Sequence, residues 1–274
     1  MRRRTLLGLP ALGAVGALLA ACGEDARVRE PDGPGEGRID YGPDLSQYGE
    51  LYLPQGTPRG VVVVIHGGFW KAEYDASLGR PLATSLAAEG WAAWNLEYRR
   101  VGNGGGAPAT FDDVSAGIDR LADLDLDLST VVTLGHSAGG HLAAWAATRG
   151  RDPQWPARVP VTAVVSQAGV LDLRSADEEG LGGGAVRALL GHSPGDADDR
   201  YDPARQLPTG VPTWCVHGRD DTIVPPRQSA AYVEAARAAG DSAELVEVEG
   251  DHFVVIDPAS AAWTRILGIL DGLG

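Results

Sequence analysis

The stretch VVTLGHSAGGHLAAW, residues 131–145, runs from a β-branched apolar segment through Gly-His-Ser-Ala-Gly into an alanine-rich segment with helical spacing. A serine between two glycines at a strand-to-helix junction has a steric reason. The chain reverses so tightly there that a Cβ at Gly135 or Gly139 would meet neighbouring backbone. The turn pushes the Ser137 hydroxyl into the open and makes it a candidate nucleophile. It can serve as one only if the chain also supplies a base, a carboxylate to orient that base, and amide donors for an oxyanion.

Outward from this turn, apolar runs of strand length alternate with amphipathic runs from residue 60 onward. GVVVVIHGG (60–68) is continuously apolar and β-branched, as a parallel strand covered on both faces should be. Further strands are predicted at 91–99, 130–135, 161–169, 212–218 and 243–250, and helices at 81–90, 111–124, 138–149, 227–240 and 258–273. Such alternation predicts an α/β fold, a mainly parallel sheet with helices on both faces. Residues 38–54 read as an antiparallel edge hairpin. Residues 170–211 are glycine-rich and polar with one short apolar helix, Ala185 to Leu190, and read as an insertion after the sixth strand rather than a second domain.

The first 21 of the 274 residues differ from the rest: Arg2, Arg3 and Arg4, then no charge from Thr5 to Ala21, then Cys22. A basic start, an apolar middle and small residues before a processing point form an export signal. The uncharged run is shorter than the roughly 20 residues a spanning helix needs, and Gly8, Pro10, Gly13 and Gly16 weaken it further. Leu19-Ala20-Ala21-Cys22 resembles a bacterial lipobox, which implies lipidation of Cys22 and a protein anchored at the outer face of the cytoplasmic membrane; Arg3-Arg4-Thr5-Leu6-Leu7 resembles a twin-arginine export motif. The reading is an export signal over 1–21, a flexible Glu/Asp/Pro/Gly-rich tether over 22–37 and a catalytic domain over 38–274. With Cys22 acylated, Cys215 has no partner, and its apolar strand context marks it as a core residue. Removing the three arginines of residues 1–21 takes the formal charge from −14 to −17. So acidic a chain does not seek nucleic acid or anionic head groups through its surface. Its six histidines are scattered, none in a helical pair suited to zinc, so neither a metal nor another cofactor is expected.

Ligands of an open parallel sheet bind outside the carboxyl ends of its strands, and four motifs fall there. Ser137 follows strand 130–135, His66-Gly67-Gly68-Phe69-Trp70 follows 61–65, VHGRDDTIVP follows 212–216, and EGDHF follows 243–248. Ser, Asp, His is the chain order of the α/β-hydrolases, which the chain resembles from about residue 40 to its end. The HGGFW stretch, 66–70, is similar to the HGGxW motif of kynurenine formamidases and related small esterases. That resemblance implies Ser137 as nucleophile and His252 as the base that takes its proton and returns it to the leaving group. The pattern H-G-x-x-D-x-x-V-P of the α/β-hydrolases that the chain resembles falls on His217, Gly218, Asp221, Val224 and Pro225, so the resemblance implies Asp221 rather than Asp220 as the orienting carboxylate. Backbone N–H groups of Ala138, Gly68 and Phe69 would hold the oxyanion. Trp70 is assigned to the substrate pocket, with core packing as its alternative. His66 and His217 read as structural, His136 and His141 as packing or helix-surface residues, and His192 has no visible partner. Glu97 and Arg99 read as a structural pair.

The function expected is metal-independent serine hydrolysis of small carboxylic esters or formyl amides. Two alternatives are an exopeptidase of prolyl oligopeptidase type, disfavoured because no gating domain is visible, and a non-catalytic surface lipoprotein, disfavoured because every catalytic part is present.

Overall fold

The computed structural model describes residues 37–274. The export signal, the Cys22 anchor and nearly all of the tether expected from the sequence therefore lie outside the described residues.

An eight-stranded sheet runs in the order β1-β2-β4-β3-β5-β6-β7-β8. Its edge is the expected hairpin, β1 (Gly37–Asp40) and β2 (Tyr48–Tyr52), antiparallel to each other and to β4 (Ala92–Leu96). β3 (Val61–Ile65) pairs in parallel with β4 on one side and with β5 (Val131–His136) on the other. β6 (Ala163–Gln167), β7 (Thr213–Gly218) and β8 (Ala243–Val248) continue the parallel series. All five residues of β3 are buried, as a strand covered on both faces requires. Val61, Val63 and Ile65 enter one core and Val62 and Val64 the other, which is the period of two in action.

The helices divide between the two faces. α1 (Arg80–Ala88) and α7 (Ala261–Asp271) cover the core that holds Val62 and Val64, through Leu82, Leu86, Trp263, Ile266 and Leu270. α2 (Ala109–Asp119), α3 (Ala138–Ala146) and α6 (Arg227–Ala238) cover the opposite face through Phe111, Val114, Leu142, Trp145, Tyr232 and Val233. Pro225 and Pro226 precede α6, and Ser260 caps α7 by accepting from the Trp263 N–H. The α2 and α3 runs end earlier than the sequence predicts, each followed by a tighter 3-10 turn, at Arg120–Asp123 and Arg149–Arg151.

The insertion after β6 is more ordered than its composition suggested. It contains α4 (Leu173–Glu178) as well as the expected α5 (Ala185–Leu190). Val186, Leu189 and Leu190 face inward into the main core. The segment is tied down at many points: Gln228 Oε1 accepts from the Leu171 and Asp172 N–H groups, Asp202 accepts from the Leu173 N–H, and the Ala107 N–H donates to the Leu189 carbonyl. From α3, Trp145 Nε1 donates to the Arg200 carbonyl and His141 Nε2 to that of Tyr201.

Candidate active site

β5 ends directly in Ser137, whose φ of 56° and ψ of −117° lie where a side chain is strained, at a cost of about 1–3 kcal/mol. What holds it there is close backbone approach on both sides. A Cβ at Gly135 would fall 2.0 Å from the Gly139 carbonyl oxygen, and one at Gly139 would fall 2.0 Å from that of Ile65. The Ser137 N–H donates to the Gln167 carbonyl at the end of β6. α3 begins at the next residue, so the Ala138 N–H is one of the free donors at a helix N-terminus.

The glycine loop after β3 closes over the same point. Gly67 lies against Ser137, for a Cβ added there would be 2.7 Å from the His136 carbonyl oxygen and 3.2 Å from the Ser137 Cβ. Phe69 and Trp70 both have positive φ, 53° and 55°, so backbone strain gathers at this one place. Among the described residues the N–H groups of Gly68, Phe69 and Ala138 have no acceptor. The loop is held from beneath: Tyr98 Oη donates to the His66 carbonyl, and the His66 ring stacks on that of Tyr98 at 4.5 Å.

β7 and β8 bring together Asp221 and His252, the carboxylate and base expected from the sequence. His252 Nδ1 donates to Asp221 Oδ2 at 2.6 Å, with both side chains buried. Asp221 Oδ1 accepts from the Ile223 and Val224 N–H groups, and Oδ2 also meets His217 Nε2 at 3.1 Å. Burial pushes the Asp221 carboxyl upward, but the hydrogen bonds from His217 and His252 and the charge of His252 outweigh it, leaving the group well below the usual carboxylate range. Asp220 is exposed.

Ser137 and His252 are not hydrogen-bonded to each other in this structure. His136, the residue before Ser137, has its ring 4.5 Å from that of His252, and its Nε2 donates to the His252 carbonyl at 2.9 Å. Catalytic hydrogen bonds of this kind often tighten only when substrate is bound.

Two assignments from the sequence need correction. Trp70 does not face an open pocket: it is 1% exposed, lies in the core and stands edge-on to His141. At this position the loop turns its large ring inward and leaves the neighbouring Phe69 half-exposed. Arg99 does not pair with Glu97 but clamps Asp113 on α2, and Arg100 is the partner of Glu97. Arg99 and Arg100 lie in the irregular segment after β4, where neighbouring side chains point different ways, and the choice between them turns on that step. His192, without a visible partner in the sequence, faces Asp198 at 3.4 Å.

The fold also brings to the site two aromatic groups that the sequence did not single out. Phe253, 53% exposed, packs against His136 and His252. Tyr74, 42% exposed, covers Gly68 so closely that a Cβ there would fall 2.4 Å from its ring. Phe253 had a signal in its adjacency to the base; Tyr74 had none.

Burial keeps three histidines around the site neutral. Desolvation lowers His66 and His136 to about 3 and His141 to about 4. An unfolded histidine titrates near about 6.5, so below that pH the unfolded chain takes up protons that the fold refuses. Their stabilisation is present above about pH 6.5 and is lost as pH falls through their folded values, down to about 3. Asp202 acts in the opposite sense: burial and the nearby Asp172 raise it to about 7, so the fold holds a proton there that the unfolded chain has released above about pH 4. Together these four groups make the unfolded chain bind about two more protons near pH 5, so they should lower stability by about 3 kcal/mol for each unit the pH drops there. Urea unfolding at pH 7, 6 and 5 measures this; equal midpoints would show that these histidines are not buried neutral.

A parallel-sheet frame with a strained serine at a strand-to-helix elbow, and a buried histidine–aspartate pair following the last two strands, defines an α/β-hydrolase. More particularly, residues 50–235 match the BD-FAE family, and the chain belongs to it. Esterase LipC of Mycobacterium tuberculosis is 29% identical over 225 residues, covering 75% of this chain and 56% of LipC. Esterase LipQ of the same organism is 28% identical over 254 residues, covering 87% and 58%. The chain thus spans little more than half the length of these curated relatives. A thermophilic esterase from Thermogutta terrifontis, solved with butyrate bound, superposes with a TM-score of 0.70 at 23% identity, covering 88% of this chain and 94% of that one.

Proposed function

We propose that the protein is a serine hydrolase of small carboxylic esters. The observation that carries the reading is the convergence of Ser137, the free N–H groups of Gly68, Phe69 and Ala138, and the His252–Asp221 pair at one end of the sheet. The esterases among its relatives support it.

In the first half-reaction Ser137 Oγ attacks the ester carbonyl carbon and its proton passes to His252 Nε2, while the three N–H groups hold the carbonyl oxygen as it becomes an oxyanion. The C–O bond to the alcohol then breaks, His252 returns the proton to the leaving oxygen, and the acyl group remains on Ser137. Water, deprotonated by His252, attacks the acyl-enzyme and releases the carboxylic acid. Asp221 keeps the His252 proton on Nδ1, so that Nε2 is free to accept, and steadies the imidazolium. No step calls on a metal. Acylated Cys22 would hold this activity at the membrane surface.

Chain length tests the substrate class. Each buried methylene contributes only about 0.8 kcal/mol, so a long acyl chain needs a broad apolar wall. The apolar residues of the insertion, Val186, Leu189 and Leu190, are taken up by the core, and its outer face carries Glu178, Glu179, Asp196 and Arg187. We expect kcat/KM for p-nitrophenyl esters to peak between acetyl and butyryl and to decline by about eight carbons. A maximum at sixteen carbons, or activation at a lipid interface, would make the protein a lipase.

A further inference from the structure

We propose that Lys71 binds a carboxylate of the substrate, so that the site prefers esters carrying a second, free carboxylate. The proposal rests on the ester-hydrolase reading and narrows it.

Of the 23 basic residues in the chain, Lys71 alone is a lysine. It follows the glycine loop directly, and its N–H donates to the Gly68 carbonyl, so its backbone is fixed beside the oxyanion donors. Its ammonium group sits between two walls. Nζ donates to the Gly182 carbonyl at 3.2 Å and lies 5.6 Å from the centre of the Phe69 ring. Gly182 packs on that ring, since a Cβ there would fall 2.3 Å from it. An ammonium carries three donors, and one carbonyl satisfies one of them.

The acids nearby do not neutralise it. On the insertion, Asp177 is engaged by Arg187 and Glu179 by Arg227. Glu73 and Glu178 point to solvent, and among the described residues no carboxylate lies within ion-pair distance of Lys71. In a chain of formal charge −14, where acids outnumber bases 37 to 23, an ammonium without a carboxylate beside the oxyanion loop is left for an incoming anion. Arg100, next to the Val101 that bridges to Lys71, is buried and occupied by Glu97. A single point charge with two free donors suits a monoanionic carboxylate better than a phosphate dianion, which calls for several cations.

Two matched pairs of esters test this on the intact protein by titration of released acid: monoethyl glutarate against ethyl pentanoate, and 4-acetoxybutanoate against butyl acetate. The pairs place the carboxylate on the acyl side and on the alcohol side. In one of them the wild type should favour the anion in kcat/KM by about tenfold or more, the scale of one charge-assisted hydrogen bond. Lys71→Met should abolish that ratio, Lys71→Arg should keep most of it, and molar salt should weaken it. A loss of loop positioning would lower both members of a pair together and leave the ratio unmoved. A ratio near one in both pairs, or a preference that survives Lys71→Met, overturns the proposal. Absence of turnover with every ester would instead overturn the hydrolase reading. Calorimetry of glutarate with Ser137→Ala then tests Lys71 on its own: binding weakened about tenfold by adding Lys71→Met supports the proposal, and no detectable or an unchanged affinity sinks it.

Discussion

Changing Ser137 or His252 to alanine will lower kcat for a short ester by about 10⁴- to 10⁶-fold, and combining the two will lower it little further. The near-equality of single and double variants is the informative part. Without the base the hydroxyl is too weakly acidic to attack, and without the hydroxyl the base has no proton to take, so either loss removes the same step. Residual turnover will come from the Gly68, Phe69 and Ala138 donors, which neither substitution touches. Ser137→Ala should also be at least as stable as the parent, because alanine at φ 56° adds no new contact and loses only a hydroxyl. Single-turnover kinetics with a chromogenic ester decides the matter. Additive losses in the double variant would mean that the two residues act in separate steps.

Asp221→Asn will cost about 10⁴-fold in kcat, whereas Asp220→Asn will change it less than about threefold, as exposed substitutions away from the chemistry do. The reason lies in which atoms already surround Asp221. The Ile223 and Val224 N–H groups both donate to Oδ1, so an asparagine must place its oxygen there and turn its NH₂ toward His252 and His217. A donor facing His252 Nδ1 forces the ring proton onto Nε2, the atom that must accept from Ser137. Activity of the two variants, with circular dichroism to confirm folding, checks this. The reverse order of effects would reassign the carboxylate to Asp220.

The architecture was readable because its signals are strong ones. Five consecutive β-branched residues in β3 admit few interpretations, and the close approach of Gly135 and Gly139 to backbone is stereochemistry that a sequence states almost directly. The pairing of His252 with Asp221 followed from chain order and the residues around them. What escaped was direction. Sequence does not say that Trp70 turns into the core while Phe69 stays at the surface, nor that Arg100 rather than Arg99 reaches Glu97, because both depend on one step of backbone parity in irregular loops. Tyr74 and Phe253 were overlooked for a related reason: an exposed aromatic residue is informative only when its neighbour in space is known.

The many ties on the insertion have a kinetic meaning. The insertion is bolted to α3 through Trp145 and His141, to α6 through Gln228 and to the loop before α2 through Ala107. For the proposed ester substrates, such ties make the dimensions of the site, rather than movement of the insertion, the expected filter. On the proposed hydrolase reading, the chemical step and not movement of the insertion is then expected to limit kcat, and a kcat independent of solvent viscosity would bear this out.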